Sequence, residues 1–313
     1  MSHVRWNPML GEWVIITPKR AKRPFQKKER QCPFCPGQKE TQGDWKVLTL
    51  ENRFPALSPG VGPMPLDGDI VMEAPAYGVC KVIVTSPEHD TQIEDMSDEQ
   101  VGLIMNEYTR VFKELDALKG IEYVFQFENR GKAIGVSLNH PHAQVYAMPF
   151  IPPRIQREIY QAERLWESEE ECVICQIISN ELKSATSRII TKTDNFLAVV
   201  PFFARLPYEV HIYPFSHVSS LLQMKEQLLE LGKIIRDIAR RYNKVFDENA
   251  YIMAFHTRPS KRKYPYWHFH IEFYPPWRDR TRIKYLGGVE TGSFTYTNDS
   301  SPEAIAKELR EAV

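Results

Sequence analysis

The chain has 313 residues, of which 42% are hydrophobic and 26% are charged, so it is long enough for two domains or a fused repeat with an ample core. Lys plus Arg and Asp plus Glu each number 40, and this zero net charge gives no electrostatic reason to expect nucleic acid as a partner. The first ten residues lack the apolar stretch of a signal peptide, and no run approaches the roughly 18 apolar residues of a membrane span. We therefore expect a cytoplasmic protein without a membrane partner.

In the first half, strand patterns at 14–16, 47–50, 79–84 and 123–127 accompany one long amphipathic helix. The helix pattern begins at Ser97, where Gln100 completes the signature of a capping box, and it stops at Gly120. Its apolar residues recur at helical spacing: Ile104, Tyr108, Val111, Leu115 and Leu118.

The second half repeats this order, with strand patterns at 196–200, 210–213, 252–255 and 267–274. Its matching helix carries Leu228, Leu231, Ile235, Ile238 and Tyr242. A last helix begins at Ser301, with Pro302 at the first helical position. We predict an α+β fold of two duplicated modules, 1–165 and 166–313, each an antiparallel sheet with a packed helix.

Cysteines and histidines repeat in the same order as these elements. Cys32-Pro33-Phe34-Cys35, His89 and His140-Pro141-His142 are followed by Cys172-Val173-Ile174-Cys175, His217 and His268-Phe269-His270. His89 and His217 are 128 residues apart, and the same spacing separates His140 from His268 and His142 from His270. The CxxC pairs are 140 residues apart, which indicates a loop of different length before the second copy. This register favours a duplication.

The stretch from Asn139 to Tyr146 is the candidate for chemistry. In an extended strand, His140, His142 and Gln144 project to the same face. One imidazole can then bind a metal while the other directs a ring nitrogen at an electrophile. Pro141 cannot donate a hydrogen bond to a neighbouring strand, which predicts an edge or a bulge. The alternative is two polar residues in a surface loop.

Four of the five cysteines stand in two CxxC pairs, which indicates metal ligation rather than disulfides. Cys32, Cys35, His89 and His140 form a set of two sulfurs and two nitrogens, which is typical of a closed structural zinc site; buried thiols without metal are the alternative. The second set is Cys172, Cys175, His217 and His268. His211 is either a core histidine or an alternative ligand. Cys80 is left over, and we predict it to be a buried strand residue.

The basic stretch 18–25 is either a solvated charge run or a phosphate clamp, because guanidinium groups match phosphate oxygens in pairs.

Together, Phe127-Glu128-Asn129, Gly135-Val136-Ser137 and the row from His140 to Gln144 resemble the active-site segment of galactose-1-phosphate uridylyltransferases, the transferase branch of the histidine-triad superfamily. The resemblance covers nearly the whole chain. It implies histidine-triad-like modules, two metal sites per chain and a homodimer. It also implies that UMP moves between UDP-glucose and galactose 1-phosphate through a covalent uridylyl-histidine intermediate.

By this resemblance, His142 is the nucleophile and Gln144 hydrogen-bonds the transferred phosphoryl group, while His140 completes the first zinc set. Lys284 and Glu290 belong to a segment that contacts the hexose, in relatives from the neighbouring chain. Further matches are to positions that hold nucleotide or phosphate: Arg20, Arg23, Asn52, Asn129, Gly135 and Ser137.

Some relatives bind a second metal, zinc or iron, through a glutamate and three histidines. The positions that match this set here are Glu158, His256, His268 and His270. The pair Cys172 and Cys175 favours the sulfur-rich set instead.

Glu272 stands in the second copy where Gln144 stands in the first. Because a carboxylate beside a phosphate would repel it, we expect catalysis in the first copy only. Two alternatives remain: a related nucleotidyl transfer such as that of ADP-glucose phosphorylase, and a zinc-stabilised nucleotide-sugar binding module without catalysis.

Overall fold

The computed structural model describes residues 2–18, 32–60, 70–136, 138–185 and 187–313. The strands in these ranges are β1 (His3–Asn7), β2 (Glu12–Ile16), β3 (Leu48–Glu51), β4 (Glu73–Pro75), β5 (Val79–Val84), β6 (Tyr123–Arg130), β7 (His142–Met148), β8 (Ile189–Lys192), β9 (Phe196–Val199), β10 (Val210–Pro214), β11 (Tyr251–His256) and β12 (His270–Tyr274). The α-helices are α1 (Asp98–Asp116), α2 (Pro153–Glu169), α3 (Val173–Lys183), α4 (Leu228–Val245), α5 (Gly288–Ser293) and α6 (Pro302–Glu311). Across the described part of the chain, no helix has both the length and the apolar character that crossing a membrane requires.

One sheet of nine strands runs through both halves, in the order β3-β5-β7-β6-β11-β12-β10-β9-β8. Every ladder in it is antiparallel. The halves meet where β6 pairs with β11, so that Arg130 lies opposite Tyr251 and Gln126 opposite Phe255. The predicted α+β fold with antiparallel modules is confirmed, and the two modules share a continuous sheet.

The duplication is visible in the strand order. On one side of the β6–β11 seam lies β7 and then β5, and on the other side lies β12 and then β10. Helices α1 and α4 occupy equivalent places in the chain and pack against each other on one face of the sheet. Each module therefore contributes a helix to a common core.

The interior position of β7 corrects the prediction drawn from Pro141. β7 lies between β5 and β6 and is neither an edge strand nor bulged in its ladders. Pro141 is tolerated because it precedes the first residue of the strand, where no ladder hydrogen bond is required of its nitrogen. Its carbonyl oxygen accepts a hydrogen bond from the Thr85 amide at 3.1 Å.

The predicted helix ends are largely confirmed. The Ser97 side chain accepts a hydrogen bond from the Gln100 amide, and Ser301 caps α6 in the same way through Ala304. The second hydrogen bond of a capping box, from the Gln100 side chain back to the Ser97 backbone, was predicted wrongly. The Gln100 side chain donates to the carbonyl oxygens of Lys46 and Thr85 instead. Leu118 also lies beyond the end of α1, and the strand expected from residue 267 begins only at His270.

Three helices, α2, α3 and α5, were absent from the sequence prediction, and so was the small sheet that includes the predicted strand β2. Helix α2 buries Ile155 and Ala162, and together with the partly buried Ile159 and Trp166 these residues recur at helical spacing, so the sequence carried a signal for this helix that the prediction missed. Helix α3 begins directly after Cys172, so the second CxxC pair lies on its first turn. Strands β2, β1 and β4 form a separate three-stranded sheet near the N-terminus.

The contact between α1 and α4 depends on Gly232. A Cβ at this position would lie 2.4 Å from Val101 Cγ1 and 2.9 Å from Met105 Cγ, whereas a Cβ at Gly102 would meet only Leu229 Cδ1 at 3.7 Å. Overpacking costs about 1–3 kcal/mol, while replacing glycine in a helix by alanine gains about 1 kcal/mol.

We expect Gly232→Ala to lower the free energy of unfolding by about 1 kcal/mol and Gly102→Ala to raise it by about 0.5–1 kcal/mol. Urea denaturation of both variants and the parent measures this difference. Equal midpoints for the two variants would contradict the close packing at Gly232.

Candidate active site and metal centres

The first set of cysteines and histidines comes together as a compact group. One ligand atom from each of Cys32, Cys35, His89 and His140 lies within 4.8 Å of all the others. His140 Nδ1 is 3.7 Å from each of the two sulfurs, and His89 Nδ1 is 3.5 Å from Cys35 Sγ. With Zn–S near 2.3 Å and Zn–N near 2.0 Å, a tetrahedral site places sulfur and nitrogen roughly 3.5 Å apart. The geometry of this group therefore suits a tetrahedral cation.

The surroundings of His140 favour a metal ligand. Its ring is fully buried, and burial lowers the pKa of His140, which keeps the imidazole neutral. The other ring nitrogen, Nε2, donates to the Ser86 carbonyl oxygen at 2.8 Å, which leaves the lone pair on Nδ1 inside the group. Such a hydrogen bond fixes both the tautomer and the ring orientation of a metal-binding histidine.

The second set repeats this arrangement. Ligand atoms of Cys172, Cys175, His217 and His268 again lie within 4.8 Å of one another. His268 Nδ1 is 3.6 Å and 3.5 Å from the two sulfurs. Its Nε2 faces the Pro214 carbonyl oxygen at 3.0 Å, and His217 Nε2 faces the Pro265 carbonyl oxygen at 2.8 Å. All five cysteines lie in the described ranges, and none of them forms a disulfide.

A third group holds the residues proposed as the alternative second site. Glu158, His256 and His270 cluster with Glu272, while His268 belongs to the sulfur-rich set. The guanidinium of Arg154 bonds to Glu272 and, at 2.9 Å, to Glu158, so a cation from the chain already lies against both carboxylates.

His211, which the sequence left as either a core histidine or a ligand, belongs to the same buried network. It lies 2.8 Å from Glu209 Oε1 and 2.7 Å from the Tyr213 hydroxyl.

His142 is the first residue of β7 and is half-buried. Its Nδ1 lies 2.8 Å from the carbonyl oxygen of His140, which can only accept a hydrogen bond. The proton is therefore held on Nδ1 and the lone pair on Nε2. The ring of Phe34, between the two cysteines of the first group, lies 5.1 Å from the His142 ring and 6.0 Å from the His140 ring. Both imidazoles thus pack against one side of the CxxC loop.

His142 lines a cleft of about 420 Å³ at the end of the sheet where β6 stops and β7 starts. Its walls come from both halves of the chain. They include Gln92, Glu128, Asn129, Arg130, Lys132, Val136, Leu138 and, from the second half, Asn243, Glu248 and Asn249. Cationic, anionic and amide groups all reach its surface, which fits a polar, charged ligand.

The predicted site residues are distributed as follows. Asn129 lines the cleft with His142, and Gly135 lies in the turn between Lys132 and Val136. Gln144 is on the same face of β7 as His142, opposite Val82 and Phe127, and is not among the described residues that line the cleft. Asn52 is buried, and its side chain accepts a hydrogen bond from the Phe54 amide. Arg20, Arg23 and Ser137 lie outside the described residues.

Lys284 and Glu290 form a local cluster away from this cleft. Glu290 is buried, accepts hydrogen bonds from the Gly287 amide at 2.9 Å and the Thr297 hydroxyl at 2.5 Å, and lies 3.3 Å from Lys284 Nζ. These contacts lower the pKa of Glu290 to about 2, the Thr297 hydroxyl contributing most. Neither residue is among the described residues lining the His142 cleft.

Sequence reasoning missed the cleft residues of the second half. Asn243, Glu248 and Asn249 lie at the end of α4 and in the loop before β11, and no motif marks them. Only the pairing of β6 with β11 brings this loop beside the cleft.

The fold and the site define a class: a duplicated α+β protein in which each copy presents the second histidine of its HxH pair to a cleft and carries a group of two cysteines and two histidines. Residues 1–152 match the family description "Galactose-1-phosphate uridyl transferase, N-terminal domain", and residues 154–310 match the C-terminal domain of the same family. The galactose-1-phosphate uridylyltransferase of Thermotoga maritima is 38% identical over 316 aligned residues, which cover 99% of this chain and 98% of that protein.

Solved structures agree. A structure titled as a uridylyltransferase has a TM-score of 0.88 and 32% identity, covering 100% of this chain and 98% of that one. An ADP-glucose phosphorylase from Arabidopsis thaliana with bound ADP-glucose has a TM-score of 0.78 and 26% identity, covering 99% of each chain. The chain belongs to the galactose-1-phosphate uridylyltransferase family, which confirms the resemblance drawn from its motifs.

We expect Cys32→Ala to lose one of two metal equivalents per chain and to lower the melting temperature by about 5 °C or more, because a bound metal stabilises only the folded state. Elemental analysis and thermal melting measure both effects. Cys80→Ala is the control, because Cys80 lies in the core cluster around Val4 and Tyr123 and outside both metal groups. Unchanged metal content in Cys32→Ala would contradict the first site.

Glu128 gives a pH-dependent prediction. Burial raises the pKa of this carboxyl group from 4.5 to about 7, with Glu94 adding to the rise and Arg130 opposing it. A raised folded-state pKa means that the group favours folding below about pH 4.5 and that this contribution is lost as the pH rises through 7. As the pH rises from 4.5 to 7, the free energy of unfolding of Glu128→Gln should therefore increase relative to that of the parent, by up to on the order of 3 kcal/mol. Urea unfolding from pH 5 to 8 tests this, with the exposed Glu99→Gln as a control that shows no such trend.

Proposed function

We propose that this chain transfers UMP between UDP-glucose and galactose 1-phosphate, with His142 as the nucleophile that carries the uridylyl group. The observation that carries this proposal is the 2.8 Å contact between His142 Nδ1 and the His140 carbonyl oxygen, at the wall of a polar cleft. Membership of the galactose-1-phosphate uridylyltransferase family supports the choice of substrates.

The chemistry follows from the tautomer. With its proton on Nδ1, His142 directs the Nε2 lone pair at the α-phosphorus of UDP-glucose. A nitrogen–phosphorus bond forms while the bond to the glucose 1-phosphate oxygen breaks, and that electron pair leaves with glucose 1-phosphate. Galactose 1-phosphate then attacks the same phosphorus, displaces the imidazole and leaves as UDP-galactose. The covalent intermediate divides one transfer into two similar displacements.

No general acid is needed, because the leaving group is a phosphate whose second pKa is about 6. A neutral amide is therefore sufficient beside the transferred group, and we assign Gln144 to hydrogen-bond its oxygens. The second copy carries Glu272 at the equivalent place, held by Arg154 and 3.5 Å from His270. A carboxylate there disfavours a phosphate, so we place the reaction in the first copy.

We assign zinc to the first metal group and zinc or iron to the second. Cys32, Cys35, His89 and His140 would hold the first cation, and Cys172, Cys175, His217 and His268 the second. A cation held by four protein ligands has no open position and acts structurally: it would cross-link the CxxC pair of each copy to the histidine that lies two residues before β7 or β12. Two sulfurs and two imidazole nitrogens suit zinc in each group.

We assign nucleotide and phosphate binding to Asn129 and Gly135, and extend it to Asn52, Arg20, Arg23 and Ser137 from the family resemblance. Gly135 has φ +77, and nothing lies within 4 Å of the place where a Cβ would be, which suits close approach of a ligand to the backbone.

We propose a homodimer in which Lys284 and Glu290 contact the hexose in the neighbouring chain's site. Two observations support it: this cluster lies away from the cleft of its own chain, and the apolar side chains beside it are exposed, with Tyr285 at 78% and Leu286 at 51%. In functional terms we divide the chain into a catalytic module, 1–165, and a second module, 166–313. Five thiols outside disulfides suit a reducing compartment, and we propose the cytoplasm.

A second candidate is nucleotidyl transfer from ADP-glucose to phosphate. It is favoured by the similarity to the Arabidopsis thaliana ADP-glucose phosphorylase with bound ADP-glucose, which extends over 99% of each chain.

His142→Ala should abolish exchange of radiolabel between glucose 1-phosphate and UDP-glucose while leaving the melting temperature within a few degrees of the parent, because the side chain is half-buried at a strand end. Parent protein incubated with labelled UDP-glucose or ADP-glucose, followed by peptide mapping, identifies the base and the modified residue. Label on His142 from ADP-glucose alone would replace the first candidate by the second. Full exchange in His142→Ala would exclude this nucleophile.

A further inference from the structure

The turn between β6 and β7 forms one wall of the His142 cleft. It begins at Gly131, includes a 3-10 turn over Lys132–Ile134, and reaches Gly135, where the backbone is again left-handed. The Gly135 amide donates to the Lys132 carbonyl oxygen at 2.8 Å, and the Ile134 amide donates to the Gly131 carbonyl oxygen at 3.3 Å. These internal bonds leave the amides of Lys132 and Ala133, at the start of the turn, to find partners elsewhere.

Their partner is a carboxylate from the second copy. Glu248 Oε1 accepts a hydrogen bond from the Lys132 amide at 2.5 Å and another from the Ala133 amide at 3.2 Å, across more than one hundred residues of sequence. A single side-chain oxygen that accepts both hydrogen bonds satisfies the two backbone donors at the start of the turn. One side chain thus fixes the first turn of the cleft wall.

The backbone makes the same junction. A Cβ on Gly131 would lie 2.4 Å from Ala250 Cβ and 3.0 Å from Glu248 Oε1, so the two segments pack together without space for any side chain at Gly131. The pairing of Arg130 with Tyr251 explains this proximity, because the residue after β6 must face the residue before β11.

The loop that carries Glu248 is itself fastened. The Asn249 side-chain nitrogen donates to the Ala239 carbonyl oxygen on α4 at 2.9 Å, and the Asp247 backbone amide donates to the Arg280 carbonyl oxygen at 3.4 Å. Glu248 is therefore presented from a supported loop, and its carboxylate can hold the turn in one place.

We infer that Glu248 is a positioning residue for the reaction: the catalytically silent copy uses it to fix the cleft wall of the active copy. This inference rests on the proposed function, because the wall it fixes leads through Gly135 to the nucleophile. Without the carboxylate, binding of a nucleotide sugar would have to order the turn, and part of the binding free energy would be lost to that ordering. The role requires an acceptor at the right reach, which a glutamine supplies and an aspartate does not.

The experiment compares Glu248→Ala, Glu248→Gln and Glu248→Asp with the parent in label exchange, and measures the dissociation constant for UDP-glucose by calorimetry. We expect kcat/KM to fall about 10- to 100-fold in Glu248→Ala and about tenfold in Glu248→Asp, chiefly through a higher KM, and to stay within about threefold in Glu248→Gln. Asp247→Asn is the matched control: it alters the neighbouring carboxylate, which pairs with an exposed arginine, and should change kcat/KM less than twofold.

Parent-like kinetics and affinity in Glu248→Ala would overturn the inference, and so would a loss in Glu248→Gln equal to that in Glu248→Ala. A comparable loss in Asp247→Asn would also overturn it, because the effect would then belong to the loop in general. If Glu248→Ala does not fold, the comparison of kcat/KM between Glu248→Gln and Glu248→Asp tests the inference instead. A parent that binds UDP-glucose without exchanging label refutes the proposed function, and the dissociation constants then decide on Glu248. If the parent neither binds UDP-glucose nor exchanges label, both the proposed function and the inference about Glu248 are refuted.

Discussion

The orientation of His142, on which the candidate site depends, is set by the backbone and ring of a single residue, His140. Its ring lies in the first metal group, oriented by the Ser86 carbonyl, while its own carbonyl oxygen holds Nδ1 of His142. The orientation and tautomer of His142 are therefore set by a residue that a metal would lock in place. The two imidazoles, separated by one proline, therefore carry their protons on different ring nitrogens: His140 on Nε2 and His142 on Nδ1. The ring of Phe34, which contacts both, strengthens the link between the metal loop and His142.

Much of this arrangement could be predicted from the sequence, because it is local or repeated. The 128-residue register located the equivalent strands and helices, and the CxxC pairs identified both metal groups, whose members the structure brings together. Strand alternation placed His142 and Gln144 on one face. The failures have physical causes. Pro141 was expected at an edge, but a proline just before a strand is compatible with an interior position, and only the partners of β7 reveal which applies.

The parts that could not be predicted are those set by long-range pairing. Glu248 and Asn249 carry no motif, and their place beside the cleft follows from the contact of β6 with β11. Helix α2 has an apolar stripe that the prediction missed, but its polar face carries no motif, and only the fold shows that Glu158 and Arg154 reach the second copy. There the two copies diverge. The second keeps the bond between His270 Nδ1 and the His268 carbonyl, at 3.0 Å, but fills the adjoining face with a buried network of carboxylates, imidazoles and guanidinium groups.

The seam between β6 and β11 also bears on how such a chain arose. In each half by itself, β6 or β11 would be an edge strand, and the unpaired backbone N–H and C=O groups of an edge strand can pair with strands of other chains. Two identical half-length chains would close this gap by pairing edge to edge in antiparallel fashion, which gives the same central arrangement as the present sheet. Joining the halves in one polypeptide made that contact permanent. On our proposal that the reaction takes place in the first copy, residues of the second copy near the seam are available to support it.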